Sequence, residues 1–130
     1  MRTILAIDPG REKCGLAVVT DAGIICKSVV SREEIVSVAT SLVSDHSVEK
    51  IIVGNGTGAD ALVRELGSIC PIEIVDEAFT SQKARVRFLK ENPPKGIRRF
   101  IPRGLLIPDR PYDDYVAVIL AETYLRRIMD

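Results

Sequence analysis

Three acidic positions carry the chemistry open to this chain: Asp8, Glu77 and the pair Asp113-Asp114. Asp8 ends a short apolar run from Ile4 to Ile7. Pro9-Gly10 then breaks the backbone, and a second apolar run follows from Leu16 to Val19. This reads as strand, turn, strand, with an acid at the end of a buried strand. An ionised carboxylate beside an apolar core needs a cation or hydrogen bonds to compensate it. A bound metal is one such compensation; capping the turn through backbone amides is the other. Glu77, with Asp76 before it, follows the last apolar strand, and Asp113-Asp114 opens the last helix. These acids also have plainer readings, Glu77 as an exposed turn acid and Asp113 as a helix N-cap worth about 1 kcal/mol. In open α/β sheets, sites lie outside the carboxyl ends of the strands. Acids gathered there would raise one another's pKa unless a divalent cation neutralised them. Oxygen donors without histidine or cysteine favour Mg²⁺ or Mn²⁺ over zinc. Two such ions, roughly 3.5–4 Å apart, would activate a water and stabilise the leaving oxygen of a phosphodiester.

A second feature lies between Lys90 and Arg110. The bases there are Lys90, Lys95, Arg98, Arg99, Arg103 and Arg110, against the acids Glu91 and Asp109. The formal net charge of the chain is zero, so this patch is local. Local patches act on phosphates because salt screens anything more distant. A solvated loop kept soluble by its charges is the plainer account. Residues 92–111 also hold Pro93, Pro94, Pro102, Pro108 and Pro111, with Gly96 and Gly104. Proline at this density excludes a regular helix or central strand, so the segment reads as a long loop, functional or disordered.

The elements that must position these groups alternate along the chain. Thr3–Asp8, Gly15–Thr20 and Ile24–Val30 read as strands, with Asp21-Ala22-Gly23 as a tight turn joining the last two. Ser31 and Glu34 stand at capping-box spacing before a helix with Ile35, Val38, Ala39 and Leu42 on one face. Lys50–Val53 is a buried strand running into the glycine-rich Gly54–Gly58. That loop lacks a following Lys-Ser/Thr, so it shapes a turn and does not cradle a nucleoside triphosphate. A helix with Ala61, Leu62, Leu66 and Ile69 inward follows, then the strand Ile72–Val75. Thr80 can cap a helix running to about Lys90. The final helix turns Val116, Ala117, Leu120, Ala121 and Leu125 inward. Strands alternating with helices imply parallel pairing in the second half, hence a mixed α/β sheet with helices on its faces.

Composition agrees with a folded protein. The chain has 130 residues, 46% of them hydrophobic, with a mean hydropathy of +0.14, which excludes intrinsic disorder and supports one domain over residues 1–130. No apolar run approaches the roughly 20 residues of a membrane span, and the N-terminus lacks a signal-peptide layout. A cytoplasmic location is expected. Cys14, Cys26 and Cys70 show no zinc spacing and read as reduced thiols.

Four stretches together resemble one family. AIDPGREKCGLAVVTDAG is similar to a strand with a catalytic Asp, a Gly-base-Gly hairpin and an apolar strand ending in Asp. IIVGNGT, VDEAFTSQKAR and DDYVAVILAETYL are similar to that family's glycine loop, its acid–hydroxyl segment and its Asp-led last helix. The chain thus resembles the YqgF/RuvX-type Holliday junction resolvase family of the RNase H-like superfamily, over nearly its whole length. The resemblance implies an RNase H-like mixed five-stranded sheet, its first three strands antiparallel and the rest parallel, with helices on both faces. It places the catalytic carboxylates on Asp8, Glu77 and Asp113, the Tyr124-Leu125 spacing selecting Asp113 over Asp114, with Asp114 kept as a further metal candidate. Lys13 takes the family's basic hairpin position, and Thr80 and Ser81 its hydroxyl pair. With Lys95, Arg98, Arg99 and Arg103 these form the expected nucleic-acid contacts. Ala78 stands where the family usually has Arg, and the string IDPG is closer to the RuvC-type relatives.

The expected function is Mg²⁺- or Mn²⁺-dependent endonucleolytic cleavage of structured nucleic acid, either branched DNA or precursor ribosomal RNA. A homodimer is expected if the substrate is a symmetric four-way junction. The alternative is an RNase H-like module that binds nucleic acid without cutting it; retention of all three acids weighs against this. An actin-like or sugar-kinase ATPase also opens with an Asp-Gly hairpin, but this chain is too short for its two lobes.

Overall fold

The computed structural model describes residues 2–76 and 113–129, together with Lys83 and Lys90. Five strands form one sheet: β1 (Thr3–Asp8), β2 (Lys13–Thr20), β3 (Gly23–Ser31), β4 (Lys50–Gly54) and β5 (Ile72–Val75). Their spatial order is β3-β2-β1-β4-β5. β1 pairs antiparallel with β2, and β2 antiparallel with β3; β4 lies parallel to β1, and β5 parallel to β4. The described helices are α1 (Ile35–His46), α2 (Ala59–Leu66) and α3 (Asp113–Met129).

The two-residue period of the strands divides the core into two halves. Ile4 and Ala6 of β1, Ala17 and Val19 of β2, Ile52 of β4 and Val75 of β5 pack with α3 through Val116, Ala117, Leu120 and Ala121. The alternate residues Leu5, Ile7, Leu16, Val18, Ile51 and Val53 pack on the other face with Ile35 and Ala39 of α1 and Leu62 and Leu66 of α2. Helices therefore cover both faces of the mixed sheet, as the resemblance implies. β1 and β4 are buried on both faces, which explains their unbroken apolar runs.

Local chemistry sets the boundaries. The Glu34 amide donates to the Ser31 hydroxyl at 3.3 Å, but this bond closes the turn before α1: the helix starts at Ile35 with Glu34 as its N-cap residue and no side-chain cap, so the expected capping box does not form. β2 begins at Lys13, two residues before the expected start at Gly15, because the ladder continues through Cys14↔Val30 and Lys13↔Ser31. α2 ends at Leu66, short of the expected Ile69, where Gly67-Ser68 follows; both residues are weak helix formers. The loop after β4 closes on Gly58, whose φ of 89° favours glycine. The helix expected from Thr80 lies outside the described residues except for Lys83 and Lys90, which are helical and exposed.

Candidate active site

Asp8 is the last residue of β1 and is half-buried. By strand parity it shares a face with Ile4 and Ala6, the face covered by α3. Pro9-Gly10 turns the chain sharply into β2. A Cβ at Gly10 would collide with the carbonyl oxygen of Lys13, so only glycine lets the two limbs of this turn approach so closely. Lys13 is exposed at the start of β2.

α3 runs opposite to β1. Its start meets β3, where Asp114 Oδ2 lies 3.5 Å from Lys27 Nζ. Its later turns approach the opposite end of the sheet, where Tyr124 lies 5.3 Å beneath the ammonium of Lys50, the first residue of β4. The helix start therefore lies at the end of the sheet where Asp8 closes β1. β4 and β5 are parallel to β1, so the Gly54–Gly58 turn and Asp76 leave the sheet at that same edge.

Asp114 is 5% exposed. Its Oδ1 accepts the backbone N–H of Tyr115 at 3.0 Å, and Lys27 Nζ stands 4.5 Å above the Tyr115 ring. A groove of about 510 Å³ opens beside this pair, bordered by Glu12, Lys13, Ser28, Ser31 and Asp114 among the described residues.

Of the sequence-predicted site residues, Asp8, the backbone of Asp113, and Asp114 thus share one edge and one face. The side chain of Asp113 lies outside the described residues, as do Glu77, Ala78, Thr80, Ser81, Lys95, Arg98, Arg99 and Arg103. Lys27 was not among the sequence candidates. Its signal was a lysine amid the apolar strand GIICKSVVS, at the parity of the α3 face.

Relatives of this architecture are known. The chain is 31% identical over 145 aligned positions to a Bacteroides fragilis protein named "Putative pre-16S rRNA nuclease", with 96% of each chain covered. It is 30% identical to a Bacteroides thetaiotaomicron protein of the same name, again with 96% of each covered. The chain belongs to the YqgF-type pre-16S rRNA nuclease family. No family model matches it.

Solved structures agree with this family's fold. Thermus thermophilus RuvC superposes with a TM-score of 0.62 at 14% identity, covering 98% of this chain and 96% of that one. RuvC from the same organism in complex with a Holliday junction substrate gives 0.57 at 15% identity, with the same coverage. At such identities the likeness shows the fold: an RNase H-like sheet. Among the described residues, no helix is long and apolar enough to cross a membrane.

Proposed function

We propose that the chain is a divalent-metal-dependent endonuclease that hydrolyses phosphodiester bonds in structured RNA, with precursor ribosomal RNA as its substrate. The observation that carries this reading is that Asp8 and the start of α3 lie at one end and on one face of the sheet, in a chain related along 96% of its length to proteins named for pre-16S rRNA cleavage. Asp8, Glu77 and Asp113 are the proposed ligands and catalytic carboxylates. Oxygen donors suit Mg²⁺ or Mn²⁺; Cys14, the nearest thiol in sequence, belongs to the opposite face of the sheet. A bound ion pair would neutralise the carboxylates and activate the attacking water. The protein's own part is to hold the acids at one depth and to orient the nucleic acid. Lys13, Thr80, Ser81 and the bases Lys95, Arg98, Arg99 and Arg103 are proposed to hold phosphates, which fixes register without reading sequence. We place the protein in the cytoplasm, as one domain.

Cleavage of a substrate panel tests the reading. Precursor 16S rRNA, four-way junction DNA and plain duplex DNA are incubated with the protein and Mg²⁺ or Mn²⁺. Cuts in the precursor RNA that vanish with EDTA are expected. Metal-dependent resolution of the junction alone would move the substrate to DNA. Binding to the RNA without cleavage at any metal concentration would make the chain a binding module.

A further inference from the structure

One charged pair beside the candidate centre is not among the proposed ligands and phosphate contacts. Lys27 stands opposite Ala17 in the β2–β3 ladder, and Ala17 stands opposite Ala6. Both are small and fully buried under α3, and the Lys27 ammonium reaches the helix start beside them. Its ammonium engages two consecutive residues of the first turn: the Asp114 carboxylate at 3.5 Å and the Tyr115 ring at 4.5 Å. The carboxylate is at the same time fixed by the Tyr115 amide. A carboxylate this buried is tolerated because it is paired. Asp113 is the residue immediately before it.

We propose that Lys27 is a positioning residue for the metal centre: through Asp114 and Tyr115 it fixes the first turn of α3, and with it the place of Asp113. The inference rests on the metal-dependent reading above, and it gives Asp114 to the ion pair with Lys27 and not to the metal. Charge alone argues for the opposite effect. An ammonium near a cation site repels the metal, so removing it should tighten binding. Removing a positioning contact weakens binding, typically about 10–100-fold for groups one step behind the ligands.

Mn²⁺ binding, followed by calorimetry, decides between these signs. Each variant is measured at a temperature where circular dichroism shows it folded. Lys27→Met keeps the aliphatic stem over Tyr115 and removes the charge; it should weaken Mn²⁺ binding about 10–100-fold. Lys27→Arg should recover most of that loss. In cleavage assays at limiting Mn²⁺, kcat should fall while KM for the nucleic acid holds. Asp114→Asn should lose as much as Lys27→Met, and the double variant no more than either, because one link is broken. Losses that multiply in the double variant would make Asp114 a ligand and overturn the proposal. Unchanged or tighter binding in Lys27→Met would overturn it too. If that variant does not fold, Lys27→Gln, which keeps one donor for Asp114 but no charge, should show a smaller loss in the same direction; unchanged or tighter binding in it overturns the proposal. Asp8→Asn separates the two readings. If it binds Mn²⁺ like the wild type, the metal centre itself is misplaced. If it loses Mn²⁺ while Lys27→Met retains it, only the positioning role falls.

Discussion

Gly15 stands directly opposite Asp8 in the antiparallel ladder of β1 and β2. Glycine presents no side chain, so β2 places none beside Asp8 in this row of the α3 face. The next residue in that row is Val29 of β3. Neighbouring strands lie about 4.7–4.9 Å apart, so a branched side chain at position 15 would stand against the Asp8 carboxylate. Gly15 is itself buried, so Gly15→Val crowds this row at some cost in stability; measured where circular dichroism shows it folded, it should depress cleavage and Mn²⁺ affinity together. Unaltered activity in a folded Gly15→Val protein would show that the working face of Asp8 lies elsewhere.

Asp8→Asn tests the carboxylate itself. The amide is nearly isosteric and cannot supply the charge. Cleavage should fall by at least about 100-fold, the upper end of what is lost on removing a mere second-layer partner of a metal. Thermal stability and RNA affinity should change little. Metal-dependent activity close to that of the wild type would exclude Asp8 as a ligand.

The proposed phosphate contacts give a salt signature. Each phosphate neutralised by Lys or Arg contributes roughly 0.7–0.9 to the slope of log affinity against log salt. Replacing Arg98 and Arg99 together with Ala should flatten that slope by about 1–2 and weaken binding alike for different sequences. Filter binding over a salt series measures it. A double variant with wild-type slope and affinity would leave this segment as a solvated connection.

A cluster at the other end of α3 predicts a dependence on alkaline pH. Lys50 Nζ lies 2.7 Å from Glu73 Oε1, and Arg127 approaches Glu73 Oε2 at 3.9 Å. The hydrogen bond to Glu73, and after it that to Tyr124, raises the Lys50 pKa above its ordinary value of 10.5. A raised lysine pKa adds stability that is fully present below the unfolded value and is lost as pH rises through the folded one. Exposed pairs of this kind are worth about 0.2–1 kcal/mol. Wild type should exceed Glu73→Gln by about that amount near pH 8, and the gap should close as Lys50 deprotonates. Urea unfolding of both proteins across this range checks it; a gap independent of pH would assign the pair no such role.

Much of the architecture was legible because the periodicity was clean. The runs Thr3–Asp8 and Ile72–Val75 match their strands to the residue, since each is short, apolar and bounded by turn formers. The inward faces of α1 and α3 followed from spacing, whereas α2 buries Ala59 with Leu62 and Leu66 and leaves the expected Ala61 outside the core cluster. The start of β2 was not legible: Lys13 and Cys14 enter the ladder through backbone pairing, which side-chain pattern does not report. The end of α2 was overrun because Ile69 continues the apolar period past Gly67. At the site, Asp8 could be read from its place after a buried strand. Lys27 stood out only as a lysine in an apolar strand; its partner could not be read, because Asp114 lies far along the chain and is brought beside it only by packing α3 across β2 and β3. The bases of the proline-rich segment and the acid Glu77 fall outside the described residues, and their reading rests on sequence.

The course of α3 bears on how the protein is made. Its helix faces the first strand, yet it is the last described element to be synthesised. Until it leaves the ribosome, the half of the sheet bearing Ile4, Ala6, Ala17 and Val19 has no described helix to cover it, while α1 and α2 can already close the other half. On the proposed reading, the start of α3 that carries Asp113 and the burial of that face arrive together. A chain stalled before α3 should expose an apolar surface of the kind chaperones hold.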